Sequence, residues 1–232
     1  MSDSIVSLLD HSVLKPTQTA HDVDAGCELC RRIGTASICV KPSHVSLAVA
    51  LLADSPVAVS TVIGFPHGGT STLAKVAETH AACHEGAVEL DMVVNLGKVF
   101  EGAWDDVAAD IRAVVAAARD LGAIVKVIFE TGLLPDDATK IRLCQICEQA
   151  EAAFVKTSTG FGMVADDSGR LVATGATEHD IRLMRANCGD QIGVKASGGI
   201  RDYAAAKRFA DLGATRLGTS STEAIAAGAA NV

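Results

Sequence analysis

Aromatic side chains, long apolar runs and export signals are all scarce or missing in this sequence. Phe, Trp and Tyr make up 3 % of the 232 residues, which favours close helix-on-strand packing over an aromatic-rich binding surface. The longest apolar stretches are interrupted by residues such as Asp54, Pro56 and Lys126, so none could span a bilayer. No basic patch leads into an apolar run at the start of the chain. We therefore expect a soluble, cytoplasmic protein.

Basic residues are fewer than acidic ones, so the formal net charge is −8 at pH 7. Such an acidic surface argues against nonspecific binding to nucleic acid or to an anionic membrane, and we expect neither as a partner. A small anionic substrate is not excluded, since it responds to the local field of its own pocket. Nearly half of the residues, 49 %, are hydrophobic, which suits a compact globular protein with a sizeable core.

The seven cysteines form no disulfide pattern, because their number is odd and no export signal accompanies them. Two Cys-x-x-Cys pairs, Cys27 with Cys30 and Cys144 with Cys147, suggest a four-cysteine zinc site. Both pairs, however, fall inside helical patterns, without the tight turn that brings two thiolates onto one metal. We expect buried structural thiols instead, with no metal and no cofactor.

Short β-branched or apolar runs alternate along the chain with alanine-rich helical patterns. The runs predict eight strands, at residues 8–14, 37–40, 57–63, 88–94, 124–130, 153–157, 192–196 and 215–217. The helical patterns lie at 20–33, 43–52, 70–85, 104–121, 135–151, 177–187, 202–212 and 221–227. Thr177 is a suitable N-cap, Pro135 is expected to begin a helix, and four glycines fall just after helical runs, where a left-handed C-cap is favoured: Gly34, Gly86, Gly122 and Gly213.

Alternating strands and helices indicate parallel pairing with right-handed crossovers. Eight such units in 232 residues fit a TIM (β/α)8 barrel, an α/β fold, at the compact end of its size range. An open doubly wound sheet is the competing architecture, but Asp10, His11 and Ser12 occupy the place of its glycine-rich phosphate loop. No linker or low-complexity segment is visible, so we expect a single domain spanning residues 1–232.

Lys156 stands at the end of a short apolar run, Ala153-Phe154-Val155, and is followed by a polar, glycine-containing turn. Burial of a lysine costs free energy, because desolvation disfavours the charged amine. A chemical reason to accept that cost is an amine that must be partly neutral near pH 7 to attack a carbonyl and form a Schiff base. The alternative is a lysine just past the strand end, with its ammonium group in water.

If the strand faces that carry Asp91, Lys126, Lys156 and Lys195 are the inner ones, these side chains converge on four consecutive strands, and Asp10 could join them from the first. In a TIM barrel the active site lies at the carboxyl ends of the strands. Two ammonium groups held close together destabilise each other, so that one loses its proton near neutrality. An amine nucleophile, a second cation and carboxylates are the groups required for Schiff-base aldol chemistry. Unrelated, solvated lysines at separate strand ends are the alternative.

Two glycine-containing loops follow the seventh and eighth predicted strands, Ser197-Gly198-Gly199-Ile200-Arg201 and Gly218-Thr219-Ser220-Ser221. Glycines allow backbone amides to approach an anion closely, and a following helix start adds its dipole. TIM barrels often bind phosphate at these two loops. The alternative is a pair of tight turns with helix caps.

These segments resemble the deoxyribose-phosphate aldolase family, of the Schiff-base type that needs no metal. The resemblance covers nearly the whole chain. It is carried by Asp10-His11-Ser12-Val13-Leu14-Lys15-Pro16, Ser37-Ile38-Cys39-Val40, Glu89-Leu90-Asp91-Met92-Val93, Lys126-Val127-Ile128-Phe129-Glu130-Thr131, Phe154-Val155-Lys156-Thr157-Ser158-Thr159-Gly160-Phe161, Val194-Lys195-Ala196-Ser197-Gly198-Gly199-Ile200 and Gly218-Thr219-Ser220-Ser221.

The resemblance implies a lyase that reversibly cleaves 2-deoxy-D-ribose 5-phosphate to D-glyceraldehyde 3-phosphate and acetaldehyde, in deoxyribonucleoside breakdown. It implies Lys156 as the Schiff-base nucleophile, Lys195 as the partner that lowers its pKa and Asp91 as the proton donor and acceptor. Asp10, Ser12, Cys39 and Lys126 would support them. The implied phosphate-binding residues are Gly160, Gly198, Gly199, Gly218 and Ser220. Family members are commonly dimers or larger, so we expect a homo-oligomer, most simply a dimer.

The chain departs from the family pattern at two places. Ser12 stands where a threonine is common, which keeps the hydroxyl group and loses a methyl group. Some members extend to a C-terminal tyrosine that reaches the active site, whereas this sequence ends at Ala230-Asn231-Val232 and its only tyrosine is Tyr203, inside a predicted helix.

Two other functions are consistent with the same residues. One is a Schiff-base aldolase that acts on a different keto or aldehyde donor. The other is a phosphosugar-binding protein on a TIM barrel, in which the lysines only neutralise the anion. Binding alone does not require a nucleophile flanked by a second lysine.

Overall fold

A closed barrel of eight parallel strands forms the centre of the molecule in the computed structural model, which describes residues 4–230. The barrel strands are β1 (Leu9–Val13), β2 (Ser37–Val40), β3 (Ala58–Ile63), β4 (Glu89–Val93), β5 (Ile124–Ile128), β6 (Phe154–Lys156), β9 (Gly193–Ser197) and β10 (Arg216–Thr219). Their order around the barrel follows the chain, and β10 closes it by pairing with β1. The predicted fold class is confirmed.

Helices cross between the strands on the outside of the barrel. They are α1 (Ala20–Ile33), α2 (Val45–Leu51), α3 (Thr72–His84), α4 (Leu96–Phe100), α5 (Trp104–Asp120), α6 (Asp137–Gln149), α7 (Glu178–Ala186), α8 (Tyr203–Asp211) and α9 (Thr222–Ala229). Within residues 4–230 no helix combines the length and apolar character that crossing a bilayer requires.

Local signals in the sequence set many helix ends as predicted. Thr177 caps α7 by accepting a hydrogen bond from the Asp180 amide. Gly34 ends α1 in the left-handed region, with φ of 77°, a conformation that costs glycine little. Pro135, however, does not begin α6. Asp136 is the N-cap, because its carboxylate accepts a hydrogen bond from the Thr139 amide and so starts the helix at Asp137.

The apolar core lies between the barrel and its helices. Leu90 and Met92 on β4 and Val125 and Val127 on β5 are buried in this layer. Alternate residues of the same strands point into the barrel, and many of those are polar or charged. Because both faces of every strand are covered, the strands are buried almost throughout, as expected for an all-parallel sheet.

Two elements were absent from the sequence-based prediction. An antiparallel hairpin, β7 (Met163–Ala165) and β8 (Leu171–Ala173), fills the connection from β6 to α7, and the short helix α4 follows β4. The hairpin strands have three residues each and stay largely exposed, so they lack the buried apolar run that marks the barrel strands.

Candidate active site

Lys156 is the last residue of β6, and its side chain is almost completely buried at the carboxyl end of the barrel. The register aligns it with Ile128 on β5 and with Lys195 on β9, so two lysines occupy neighbouring positions across β6 and β9. The solvated strand-end lysine considered from the sequence is therefore ruled out by its burial.

Asp91 on β4 links the three buried lysines. Its Oδ2 atom lies 2.6 Å from Lys156 Nζ and 2.7 Å from Lys195 Nζ, and its Oδ1 atom lies 2.8 Å from Lys126 Nζ. All four side chains belong to the inward faces of their strands, as strand alternation predicts. The structure thus brings together the residues that the sequence placed on one face of four strands.

A second group of charges lies against Lys126 and Lys195. Asp10 on β1 forms a short ion pair with Lys195 and lies 3.2 Å from Lys126 Nζ. Arg216 on β10 contacts Asp10 at 2.7 Å and Glu89 on β4 at 2.8 Å. The sequence analysis did not single out Arg216 or Glu89 as site residues. Their inward strand positions were the available signal, but their pairing depends on closure of the barrel.

The charges of this cluster do not balance if every amine is protonated. Four potential cations, Lys126, Lys156, Lys195 and Arg216, meet the three carboxylates of Asp10, Glu89 and Asp91. Loss of one proton from an amine would bring the cluster to neutrality, which a buried site favours.

Lys156 is the amine whose environment favours the neutral form. Burial lowers the pKa of Lys156, the neighbouring Lys195 lowers it further, and Asp91 opposes both effects without reversing them. Burial also acts to lower the pKa of Lys126, but Asp10, Asp91 and Glu89 raise it well above the usual lysine value. Lys126 is therefore a permanent cation, whereas Lys156 is a candidate nucleophile.

The carboxylates stay ionised despite their burial. Burial alone would raise the pKa of Asp91, but Lys126, Lys156 and Lys195 together hold that pKa well below its usual range. The pKa of Asp10 is lowered in the same way by Lys126, Lys195 and Arg216. Both groups can accept hydrogen bonds from the amines, and neither holds a proton of its own at neutral pH.

A cavity of about 740 Å³ opens above the lysines at the carboxyl end of the barrel. Its lining includes Asp10, Ser12, Cys39, Lys156 and Lys195. Asp91 and Lys126 do not line it, because they lie beneath the other two lysines. A ligand in the cavity therefore meets the amine of Lys156 directly and the carboxylate of Asp91 only through the lysines.

Cys39 places a neutral thiol beside the amines. Burial raises the pKa of the Cys39 thiol, so it is protonated at neutral pH and adds no charge to the cluster. Ser12 also lines the cavity.

The glycine loops line the same cavity. Gly160, Gly198, Gly199, Gly218 and Ser220 all contribute to its wall. Gly160, Gly198 and Gly199 have φ of 84°, 87° and 81°, a backbone conformation that glycine adopts readily. Lys15 and Arg201, which the sequence analysis did not assign to the site, add positive charge at the cavity wall. Glycine backbone and positive charge are both features that suit an anion.

Gly218 has a second reason to lack a side chain. A Cβ atom there would lie 2.9 Å from Ser197 Cβ and 3.2 Å from Lys195 Cε. Its absence leaves room for the stem of Lys195 as it crosses the barrel.

The cysteines of the two Cys-x-x-Cys pairs are free and buried. Over residues 4–230, no group of three or more His, Cys, Asp or Glu side chains has the geometry to hold a metal ion. Tyr203 begins α8 and does not line the cavity, whereas Asn231 and Val232 lie outside the described residues.

A (β/α)8 barrel with a buried amine of lowered pKa that faces a cavity defines the class of lysine-dependent barrel aldolases. The model of the DeoC/LacD family of aldolases matches residues 4–230, and the chain belongs to this family.

Proteins named deoxyribose-phosphate aldolase are similar to this chain over nearly its whole length. The one from Carboxydothermus hydrogenoformans is 44 % identical over 229 residues, which cover 98 % of this chain and 96 % of the relative. The one from Halalkalibacterium halodurans is 45 % identical, with 98 % and 97 % covered. The tetrameric deoxyribose-phosphate aldolase from Aeropyrum pernix superposes with a TM-score of 0.85 at 29 % identity, with 96 % and 89 % covered.

Proposed function

We propose that this chain is a deoxyribose-phosphate aldolase. It would cleave 2-deoxy-D-ribose 5-phosphate reversibly to D-glyceraldehyde 3-phosphate and acetaldehyde, in the breakdown of deoxyribonucleosides. The observation that carries the proposal is the Lys156 amine, which is buried, of lowered pKa and open to the cavity. The names of the full-length relatives support the substrate.

In this proposal Lys156 attacks the aldehyde carbon of the open-chain sugar. Loss of water then gives a protonated Schiff base, which withdraws electrons from the neighbouring carbon–carbon bond. As the hydroxyl group on C3 loses its proton, the bond between C2 and C3 breaks and D-glyceraldehyde 3-phosphate leaves. The remaining enamine takes a proton at C2, and water releases acetaldehyde and the free Lys156 amine.

Lys195 and Asp91 would manage charge and protons around that amine. The positive charge of Lys195 helps to keep Lys156 neutral before the attack. Asp91 accepts hydrogen bonds from both lysines and so offers a path for a proton between them. Because Asp91 is ionised and covered, we propose that it passes protons through Lys195, with Asp10, Ser12, Cys39 and Lys126 in supporting roles.

We propose that Gly160, Gly198, Gly199, Gly218 and Ser220 bind the 5-phosphate. Their loops line the cavity, whose wall also includes Lys15 and Arg201. Binding of the phosphate there would hold the sugar with its aldehyde toward Lys156, since both features belong to one cavity. Remote binding energy of this kind can be used to orient the reacting carbon.

The partners in this proposal are small phosphosugars and aldehydes. We further propose a homo-oligomer, most simply a dimer, that acts in the cytoplasm. The Aeropyrum pernix relative is described as a tetramer, which supports self-association in the family without fixing the number of subunits here. Size-exclusion chromatography with light scattering measures that number directly.

The decisive experiment combines turnover with trapping. The purified protein is expected to consume 2-deoxy-D-ribose 5-phosphate in an assay coupled to glyceraldehyde 3-phosphate. Acetaldehyde with borohydride should leave a stable adduct on Lys156, located by peptide mapping, and Lys156→Ala should abolish both signals. Trapping on Lys156 without turnover of this sugar would indicate an aldolase with another donor. Phosphosugar binding with neither signal would indicate a binding protein.

A further inference from the structure

Glu130 is a buried carboxylate that the proposed chemistry does not use. It follows β5 at the carboxyl end of the barrel, and only 2 % of its surface is exposed. Its backbone lies in the left-handed region, with φ of 54° and ψ of 57°. Residues with a Cβ atom adopt this conformation rarely, and it is strained outside glycine, asparagine and aspartate.

The carboxylate of Glu130 has no cationic partner among residues 4–230. Its hydrogen-bond donors are the amide and hydroxyl of Thr159 and the hydroxyl of Thr174. Buried carboxylates are normally paired with a cation, because hydrogen bonds alone compensate less of the desolvation cost. The unusual feature is that all three donors come from two residues of the cavity wall.

The contact with Thr159 controls the turn after β6. The Thr159 amide and hydroxyl both donate to Glu130 Oε2, and Thr159 Oγ1 accepts a hydrogen bond of 2.9 Å from the Phe161 amide. The intervening amide of Gly160 has no acceptor within the part of the chain that the structure describes. Glu130 therefore accepts a hydrogen bond from the Thr159 amide directly and holds the Thr159 hydroxyl that accepts from the Phe161 amide. The Gly160 amide between them stays free at the cavity wall.

The contact with Thr174 leads to the Gly198-Gly199 loop, which follows β9 and also lines the cavity. Thr174 Oγ1 lies 3.3 Å from Glu130 Oε1 and 3.2 Å from the carbonyl oxygen of Gly162. The next residue, Gly175, packs so closely on the loop after β9 that a Cβ atom there would lie 2.6 Å from the Gly198 carbonyl oxygen. Glu130 is thus connected to Gly160 through Thr159 and to Gly198 through Thr174 and Gly175.

We propose that Glu130 is a positioning residue for the phosphate end of the cavity. Its carboxylate fixes the turn at Gly160 and the end of the β7–β8 hairpin at Thr174. The Gly160 turn and the Gly198-Gly199 loop therefore keep their spacing before a ligand binds. This inference rests on the proposed phosphate site. It assigns Glu130 no contact with the substrate and no part in proton transfer.

Three substitutions at Glu130 separate geometry from charge. Glu130→Ala removes both contacts and is expected to raise the Kd for inorganic phosphate and the KM for 2-deoxyribose 5-phosphate about tenfold, from the loss of buried hydrogen bonds. Glu130→Asp keeps the charge and tolerates the left-handed backbone, but is one methylene too short to reach Thr159, so it should behave like Glu130→Ala. Glu130→Gln keeps the reach and an acceptor oxygen, and should stay within about threefold of wild type.

Unphosphorylated deoxyribose supplies the internal comparison. Its kcat/KM should change less than about twofold in all three variants, because it places no phosphate between the loops. Asp136→Asn, which removes one carboxylate charge from the cap of α6, is the matched control and should leave every constant unchanged. Thermal unfolding of each variant identifies any that fails to fold, and the Glu130→Asp and Glu130→Gln pair still decides the question if Glu130→Ala is lost.

Several outcomes would overturn the proposal. Equal losses with both sugars would assign Glu130 a general role in stability. A raised Kd and KM in Glu130→Gln, with wild-type values in Glu130→Asp, would assign Glu130 a role through its charge. Wild-type constants in every variant would leave it no role. If the wild-type protein does not cleave 2-deoxyribose 5-phosphate, the proposed function fails, but titration of the same variants with inorganic phosphate still tests Glu130.

Discussion

Lys156 and Lys195 donate to the same oxygen of Asp91, at 2.6 and 2.7 Å. Lys195 has a second carboxylate partner, Asp10, whereas Asp91 is the only carboxylate in contact with Lys156 among residues 4–230. Asp91 Oδ2 is thus shared between two buried amines, and burial together with the charge of Lys195 lowers the pKa of Lys156, so Lys156 is the amine whose neutral form is favoured. The sequence alone could not rank the two lysines, because both are amines at strand ends.

Lys195→Leu should move the acid limb of the pH–rate profile to higher pH. The substitution removes a positive charge that lowers the pKa of Lys156, so this pKa should rise toward the unperturbed lysine value of about 10.4. Less of the amine is then neutral at pH 7, and activity should fall steeply there and partly return at alkaline pH. An acid limb that stays in place would contradict coupling of the two charges, while trapping on Lys156 would still support the aldolase chemistry.

Substitution by methionine should have opposite effects on stability at Lys126 and Lys156. The pKa of Lys126 is raised on folding, so its charged form stabilises the fold, and Lys126→Met should lower the free energy of unfolding by about 3–5 kcal/mol at pH 7. The pKa of Lys156 is lowered, so folding disfavours its charged form, and Lys156→Met should leave stability unchanged or raise it while abolishing activity. Urea unfolding of both variants measures the difference, and equal destabilisation would contradict the assignment of the neutral amine.

The buried carboxylates predict the acid side of the stability curve. The pKa values of Asp10 and Asp91 lie below their unfolded value of about 3.9, so their contribution is fully present above that pH. It is lost progressively as the pH falls from about 4 toward the lower folded-state values. Unfolding measured from pH 6 to pH 2 should show the loss, and Asp91→Asn should reduce the slope below pH 4.

Gly199→Val should damage binding of the phosphorylated sugar selectively. Nothing lies within 4 Å of a Cβ atom at Gly199, but its φ of 81° is strained for any residue with a side chain, and a valine would also enter the cavity. KM should rise chiefly for 2-deoxyribose 5-phosphate, with a smaller change for deoxyribose. Equal damage with both sugars would point instead to a folding defect, which circular dichroism would detect.

Activity should survive exhaustive chelation. The lysine mechanism proposed here uses no metal at any step. Turnover after dialysis against EDTA should therefore match that of the untreated protein. Loss of activity with EDTA and recovery with zinc would overturn the Schiff-base assignment.

The barrel was predictable because each of its strands carries a local signal. Buried apolar runs between helical patterns located all eight strands within a few residues, and the period of two along a strand placed Asp91, Lys126, Lys156 and Lys195 on one face. Once the barrel is assumed, these side chains converge if the faces that carry them are the inward ones, as the structure shows. The roles of the residues remain predictions.

Other features could not be read from the sequence because they depend on pairing between distant segments. Arg216 meets Glu89 across 127 residues of sequence, and Glu130 meets Thr174 across 44. The β7–β8 hairpin is short and exposed, so its strands carry no buried pattern that would distinguish them from a loop. The sequence predicted that α6 begins at Pro135, whereas the helix begins at Asp137. A proline followed by two aspartates is compatible with either start.

Closure of the barrel by β1 and β10 has a consequence for a chain that is still being synthesised. The charge of Asp10 is fully compensated only when Lys195 and Arg216, which follow 185 and 206 residues later, join Lys126. Until β10 leaves the ribosome, β1 and β9 each present an open edge, and the carboxylates of the cluster lack part of their countercharge. We therefore expect the nascent protein to complete its charge cluster in the last step of assembly, when the two ends of the sheet meet.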